Sequence, residues 1–107
     1  MRQISVTELH QWLEDTNRKR PVLLDVREPW EFQITHLDGS IHMPMGSVPA
    51  RAAELDPETE TVVICHHGGR SQQVAAFLER SGFGAVYNLS GGVDAWARQV
   101  DRGMPTY

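Results

Sequence analysis

The chain has 107 residues, 40% of them hydrophobic and 22% charged, with a formal net charge of −4. That length fits a single domain, residues 1–107, which can bury a core without disulfides or a structural metal. The acidic balance argues against the basic face of a nucleic-acid binder and against a surface that seeks anionic lipid, while a small anion can still find a locally positive site.

A single cysteine excludes an internal disulfide, and with it an extracellular disulfide scaffold. Met1-Arg2-Gln3-Ile4-Ser5 lacks the apolar core of a signal peptide, so the expected location is the cytoplasm. The longest apolar runs, Val22-Leu23-Leu24 and Val62-Val63-Ile64-Cys65, are too short to span a membrane. A monomer is the default expectation for a chain of this size.

Ser5-Val6-Thr7-Glu8 reads as a capping box, and Leu9, Trp12 and Leu13 follow at helical spacing, predicting a helix over residues 6–15. A polar loop leads to Val22-Leu23-Leu24-Asp25-Val26, a strand covered on both faces. Pro29 suits the first position of a short helix through Trp30 and Phe32. Asp38-Gly39 is a turn, and Ser40–Met43 reads as a short strand stopped by Pro44. Ser47 is placed as the cap of a short helix through Leu55. Thr61-Val62-Val63-Ile64 is the second buried strand. A helix opens near Arg70-Ser71, with Val74, Phe77 and Leu78 on its apolar face and Gly82 as its stop. Ala85-Val86-Tyr87 is a third strand, and Gly91-Gly92 turns into a last helix carrying Val93, Trp96 and Val100. Trp12, Trp30 and Trp96 are read as core. Strands alternating with helices predict an α/β fold, a mainly parallel central sheet with helices on both faces.

Chemistry concentrates in Cys65-His66-His67-Gly68-Gly69-Arg70-Ser71. In open parallel sheets, ligands bind beyond the C-terminal ends of the strands, where Cys65 lies. Two adjacent glycines let the backbone curl so that N–H groups point inward as an anion nest. The next helix begins there and adds unpaired N–H groups. Arg70 adds charge suited to oxyanions, and His66 and His67 add donors. These features favour the Cys65 thiolate, which is the nucleophile.

This loop resembles the active loop of the rhodanese family, specifically of its single-domain members: cysteine first, glycine fourth, arginine sixth. Leu24-Asp25-Val26-Arg27-Glu28, Glu31-Phe32 and His36–Pro44 are similar to the family's N-terminal signature. Asn88-Leu89-Ser90-Gly91-Gly92 with Asp94-Ala95-Trp96 is similar to its C-terminal one. His66 stands where members often carry Arg, which leaves the preferred donor open; Thr35 stands where Gly is common. The resemblance implies a thiosulfate sulfurtransferase working by a ping-pong reaction. Cys65 takes sulfane sulfur from a small anionic donor such as thiosulfate, holds it as a persulfide, and passes it to cyanide or a thiol. His66, His67, Gly68, Gly69, Arg70 and Ser71 are the substrate-binding candidates. No cofactor is needed, because sulfur itself is carried.

Each residue also has a plainer reading. Cys65 could be a small hydrophobe at a strand end, and Arg70 a solvated arginine at a helix start. His66 could shape the pocket, while His67 contributes more through its backbone N–H than its ring. Adjacent Cys-His-His cannot easily direct three side chains at one ion, so no metal is expected. Asp25 and Arg27 are read as a structural pair that fixes the loop. Rival functions are a cysteine phosphatase or arsenate reductase, a non-catalytic rhodanese-like binding module, and a redox sensor. Only four residues separate Cys65 from Arg70, a ring short for a tetrahedral oxyanion, and no general acid is evident for a phosphatase.

Overall fold

Two apolar runs bounded by polar turns form the middle of the sheet. The computed structural model describes residues 1–107. In chain order the elements are β1 (Arg2–Ile4), α1 (Val6–Glu14), β2 (Val22–Asp25), α2 (Pro29–Ile34), β3 (Ile41–His42), α3 (Val48–Arg51), β4 (Thr61–Ile64), α4 (Gly69–Arg80), β5 (Val86–Leu89) and α5 (Gly92–Gln99). The sheet order is β1-β5-β4-β2-β3, with every pairing parallel.

The strand period of two divides the core between the faces. Leu23, Val62, Ile64 and Leu89 pack with Val6, Leu9 and Trp12 of α1 and Val93, Trp96 and Ala97 of α5. Leu24, Val63 and Val86 pack on the other face with Val48 of α3 and Val74, Ala75 and Leu78 of α4. Helices therefore cover both faces, as the alternating pattern predicts. β4 is buried along its whole length, and Cys65 follows its last residue at the end where parallel sheets bind ligands.

Local chemistry sets several boundaries. Ser5 and Glu8 form the expected capping box: Glu8 N–H donates to Ser5 Oγ at 3.1 Å and Ser5 N–H to Glu8 Oε1 at 2.9 Å. Pro29 opens α2. The segment from Met45 to Glu54 is not one helix. Two 3-10 turns, Met45–Ser47 and Ala52–Glu54, flank the four-residue α3, and Ser47 makes no capping side-chain bond.

One element escapes the sequence pattern, and one expectation needs correcting. β1 is a strand that local pattern does not reveal; its pairing with β5 joins residues more than eighty positions apart, Arg2 with Tyr87 through Ile4 with Leu89. Trp30 is not core: it is 59% exposed. The residue α2 turns inward is Glu31, whose carboxylate is held by Arg70 and Tyr107, and the preceding residue on a helix lies about 100° away on the surface.

Candidate active site

The loop after β4 is bent by contacts with the start of α5. Val93 N–H donates to the Cys65 carbonyl at 3.0 Å, and Asp94 N–H to the His66 carbonyl at 3.1 Å. With those carbonyls turned toward α5, Gly68 N–H faces the sulfur and donates to Cys65 Sγ at 3.0 Å. Gly68 has φ +114°, in the left-handed region, and a Cβ there would also touch Gly91 N and Leu89 O at 3.4 Å. A second glycine the loop depends on is Gly92, at the start of α5, where the chain passes directly over the Cys65 and His66 carbonyl oxygens.

Cys65 itself is buried, as is Ser71 in the first turn of α4. Their side chains meet, with Sγ to Oγ at 3.2 Å. Ser71 donates in turn to Asn88 Oδ1 on β5. Ser71 thus lies buried between the sulfur and β5. The two largest cavities, each about 390 Å³, are lined by no residue of the loop. Small-atom chemistry at a buried sulfur suits such a site better than enclosure of a large ligand.

Arg70 is anchored at both terminal nitrogens. Its Nη1 donates to Glu31 Oε1 at 2.6 Å and its Nη2 to Glu31 Oε2 at 2.9 Å. This bidentate pair ties the start of α4 to α2. Tyr107 Oη donates to Glu31 Oε2 at 2.8 Å and accepts from Arg27 Nη1 at 2.8 Å. Arg27 is fully buried and forks onto Asp25, with Nη2 to Oδ2 at 2.7 Å and Nε to Oδ1 at 2.9 Å. Asp25, Arg27, Tyr107, Glu31 and Arg70 form one connected chain of polar contacts. The structural pairing of Asp25 with Arg27 read from sequence is present, and it extends to the loop through Tyr107 and Glu31.

The Glu31 carboxyl is lowered to about 2, chiefly by its hydrogen bonds from Arg70, with burial opposing and Glu28 N–H and Tyr107 assisting. A depressed carboxyl stabilises the fold fully above its unfolded value, 4.5, and that contribution is lost as pH falls toward 2. We expect wild type to exceed Glu31→Gln in stability at pH 6 by a margin that shrinks by roughly 3 kcal/mol between pH 4.5 and pH 2. Denaturant unfolding across that range checks it; a constant margin would refute it.

The histidines part company. His66 stacks on Tyr107 at 4.0 Å between centroids and 11° between planes. Burial pushes its imidazole below the ordinary value, and the neighbouring His67 acts in the same direction, so the neutral ring prevails at neutral pH. Its Nε2 is buried without a hydrogen-bond partner. His67 is mostly exposed, with Nε2 3.8 Å from Asp94 Oδ2. One donor atom each from His66, His67 and Asp94 lies within 4.8 Å of the others, a grouping that the adjacent Cys-His-His pattern did not suggest. The Asp94 carboxylate is already engaged by Arg98 Nε at 3.0 Å.

The structure thus gathers Cys65, Gly68 and Ser71 at the sulfur and anchors Arg70 beside them through Glu31. Sequence reasoning missed roles for Glu31, Asn88, Asp94 and Tyr107. Glu31, Asn88 and Asp94 lie in the quoted signature segments, which was a signal available to it; Tyr107 lies in a tail with none.

Comparison with known proteins agrees with this geometry. The family model described as "Rhodanese-like domain" matches residues 5–99. The chain belongs to the rhodanese-like domain family. A relative from Arabidopsis thaliana, "Rhodanese-like/PpiC domain-containing protein 12, chloroplastic", is 40% identical over all of this chain, which spans 38% of that protein's length. The structure of SSP1007 from Staphylococcus saprophyticus superposes with a TM-score of 0.82 at 33% identity, covering 99% of this chain and 100% of that one. A rhodanese-like domain protein from Staphylococcus aureus gives 0.84 at 26% identity, covering 100% and 99%. The rhodanese-like fold thus extends across the whole described sheet, including β1, whose residues precede the family match.

Proposed function

We propose that this rhodanese-like chain is a sulfurtransferase that moves sulfane sulfur through a Cys65 persulfide. The observation that carries the reading is the Gly68 N–H aimed at Cys65 Sγ at 3.0 Å, in a cysteine-first loop at the end of a parallel strand. A backbone donor fixed there stabilises negative charge on sulfur without reorganisation. In the first half-reaction the Cys65 thiolate attacks the outer sulfur of a donor such as thiosulfate. The bond between the donor's two sulfurs breaks, and sulfite leaves with the electron pair. In the second, cyanide or a thiolate attacks the outer sulfur of the persulfide, and the Cys65 thiolate leaves. Each half-reaction exchanges one bond to the carried sulfur for another, so no external oxidant or reductant is required.

The phosphatase reading is weaker on the same geometry. Arg70, the residue that would hold phosphate oxygens, has both terminal nitrogens on Glu31, and the loop holds only four residues between Cys65 and Arg70. The test is intact mass spectrometry of the reduced protein before and after thiosulfate, beside Cys65→Ser. We expect a gain of one sulfur atom, reversed by cyanide or a thiol and absent from the variant. No gain with thiosulfate or with a small-molecule persulfide, on an accessible reduced cysteine, would overturn the reading. So would Cys65-dependent turnover of an aryl phosphate in the absence of sulfur loading.

A further inference from the structure

The amide of Asn88 has only one way to sit. Its Nδ2 donates to Gln3 Oε1 at 2.8 Å and to the Gly68 carbonyl at 3.2 Å. With the amino group held by two acceptors, Oδ1 is the end that faces Ser71. A carboxamide oxygen accepts only, so the single Ser71 proton goes to it. The Sγ–Oγ contact at 3.2 Å is therefore filled by the other partner: the Cys65 thiol donates to Ser71 Oγ.

That arrangement suits the thiol and not the thiolate. Once the thiol proton has left for solvent, Sγ can only accept. Ser71 then either leaves the sulfur with the Gly68 N–H alone or rotates its proton onto it. Rotation strips Asn88 Oδ1 of its donor at a position only 2% exposed, and an unsatisfied buried acceptor is costly. In the persulfide the inner sulfur is a neutral bridge and the charge sits on the outer one, so the Ser71–Asn88 bond is kept.

We propose that Asn88 is a positioning residue that controls Cys65 through Ser71, holding the Ser71 proton while the sulfur is a thiol or a persulfide and yielding it only to the thiolate. Asn88 thereby keeps the free thiolate less stabilised, and more ready to attack a donor. Ser71 is the donor that receives the inner sulfur when it leaves in the second half-reaction. This role rests on the proposed sulfur chemistry, but its core is a property of the free enzyme.

The titratable and charged groups around the loop are Arg70 from α4 with its partner Glu31 from α2, His66 and His67 on the loop itself, and Asp94 from α5. None is altered by the variants below. The readout is the rate of Cys65 alkylation by iodoacetamide against pH, which needs no sulfur donor and so fails or succeeds independently of the transferase reading. Asn88→Ala frees the Ser71 proton, and the midpoint should fall by about one pH unit, the scale of one hydrogen bond to a charged group. In a Ser71→Ala background the same substitution should leave the midpoint in place. A fall that persists without Ser71, or no fall with it, overturns the relay. If Asn88→Ala does not fold, Asn88→Asp serves. Its carboxylate should raise the midpoint, and by less once Ser71 is removed; equal shifts in the two backgrounds would overturn the relay.

Discussion

Gly92→Ala should disable the active loop and destabilise the whole fold by at least about 3 kcal/mol. Gly92 has φ +57°, and a Cβ built on it lies 2.2 Å from the Cys65 carbonyl oxygen and 2.4 Å from that of His66. Both obstacles are backbone, so no rotamer change relieves them. The loop must lift off α5, and the bonds from Val93 N–H and Asp94 N–H to those carbonyls go with it. The Gly68 N–H then loses its aim at the sulfur. Two other glycines calibrate the result. At Gly84 a Cβ meets nothing within 4 Å and φ is not in the left-handed region, so Gly84→Ala should change stability by no more than ~0.5 kcal/mol. At Gly91 the obstacle is the Ala95 Cβ, a side chain, at 2.5 Å, with φ at +85°, and an intermediate loss is expected. Urea unfolding of the three variants, with thiosulfate loading by mass spectrometry, checks the ranking. A Gly92→Ala protein as stable as the Gly84 variant would contradict the close approach.

The reason this glycine matters was only half legible in the sequence. Gly91-Gly92 reads as a turn into a helix, and it is one. That the turn lies across the cysteine loop depends on β5 pairing beside β4, a relation between distant segments. The same limit explains the other discrepancies. β2 and β4 are continuous apolar runs and announce themselves, and α1 carries its own capping box. β1 has three residues, two of them exposed, and exists because β5 offers it an edge. Arg70 carries a strong local signal for anion binding, but the carboxylate that takes up its nitrogens is 39 positions away. Trp30 satisfies an apolar pattern in a helix of six residues, too short for the pattern to fix which face turns inward. Local pattern and the loop's own residues located the cysteine, its loop and its helix; partners delivered by the sheet order were out of their reach.

The Asp25–Arg27 pair shows how much of the loop's rigidity depends on such partners, and breaking it from one side should be severe. Arg27 is wholly buried and its guanidinium is fully engaged: Asp25 at 2.7–3.1 Å, the Thr35 carbonyl at 2.6 Å, the Glu31 carbonyl at 3.3 Å and Tyr107 Oη at 2.8 Å. Asp25→Ala leaves that cation with neutral acceptors only and should cost ~3–5 kcal/mol, as for other half-broken buried pairs. Arg27→Met leaves the buried Asp25 carboxylate unpaired and also releases Tyr107 and the end of α2. Its cost should be at least as large. The double variant Asp25→Val with Arg27→Met removes both charges together, and much of the loss should return, because desolvating two ions offsets most of their attraction. What should not return is the order at the mouth of the site. Tyr107 would have lost its Arg27 contact and would hold Glu31 and stack on His66 with one anchor fewer. The double variant is thus expected to be close to wild type in urea unfolding yet slower in sulfur loading. Equal, additive losses in the two single variants and their combination would show that the pair is not coupled. Full recovery of loading would show that the polar chain from Asp25 to Arg70 has no bearing on the chemistry at Cys65.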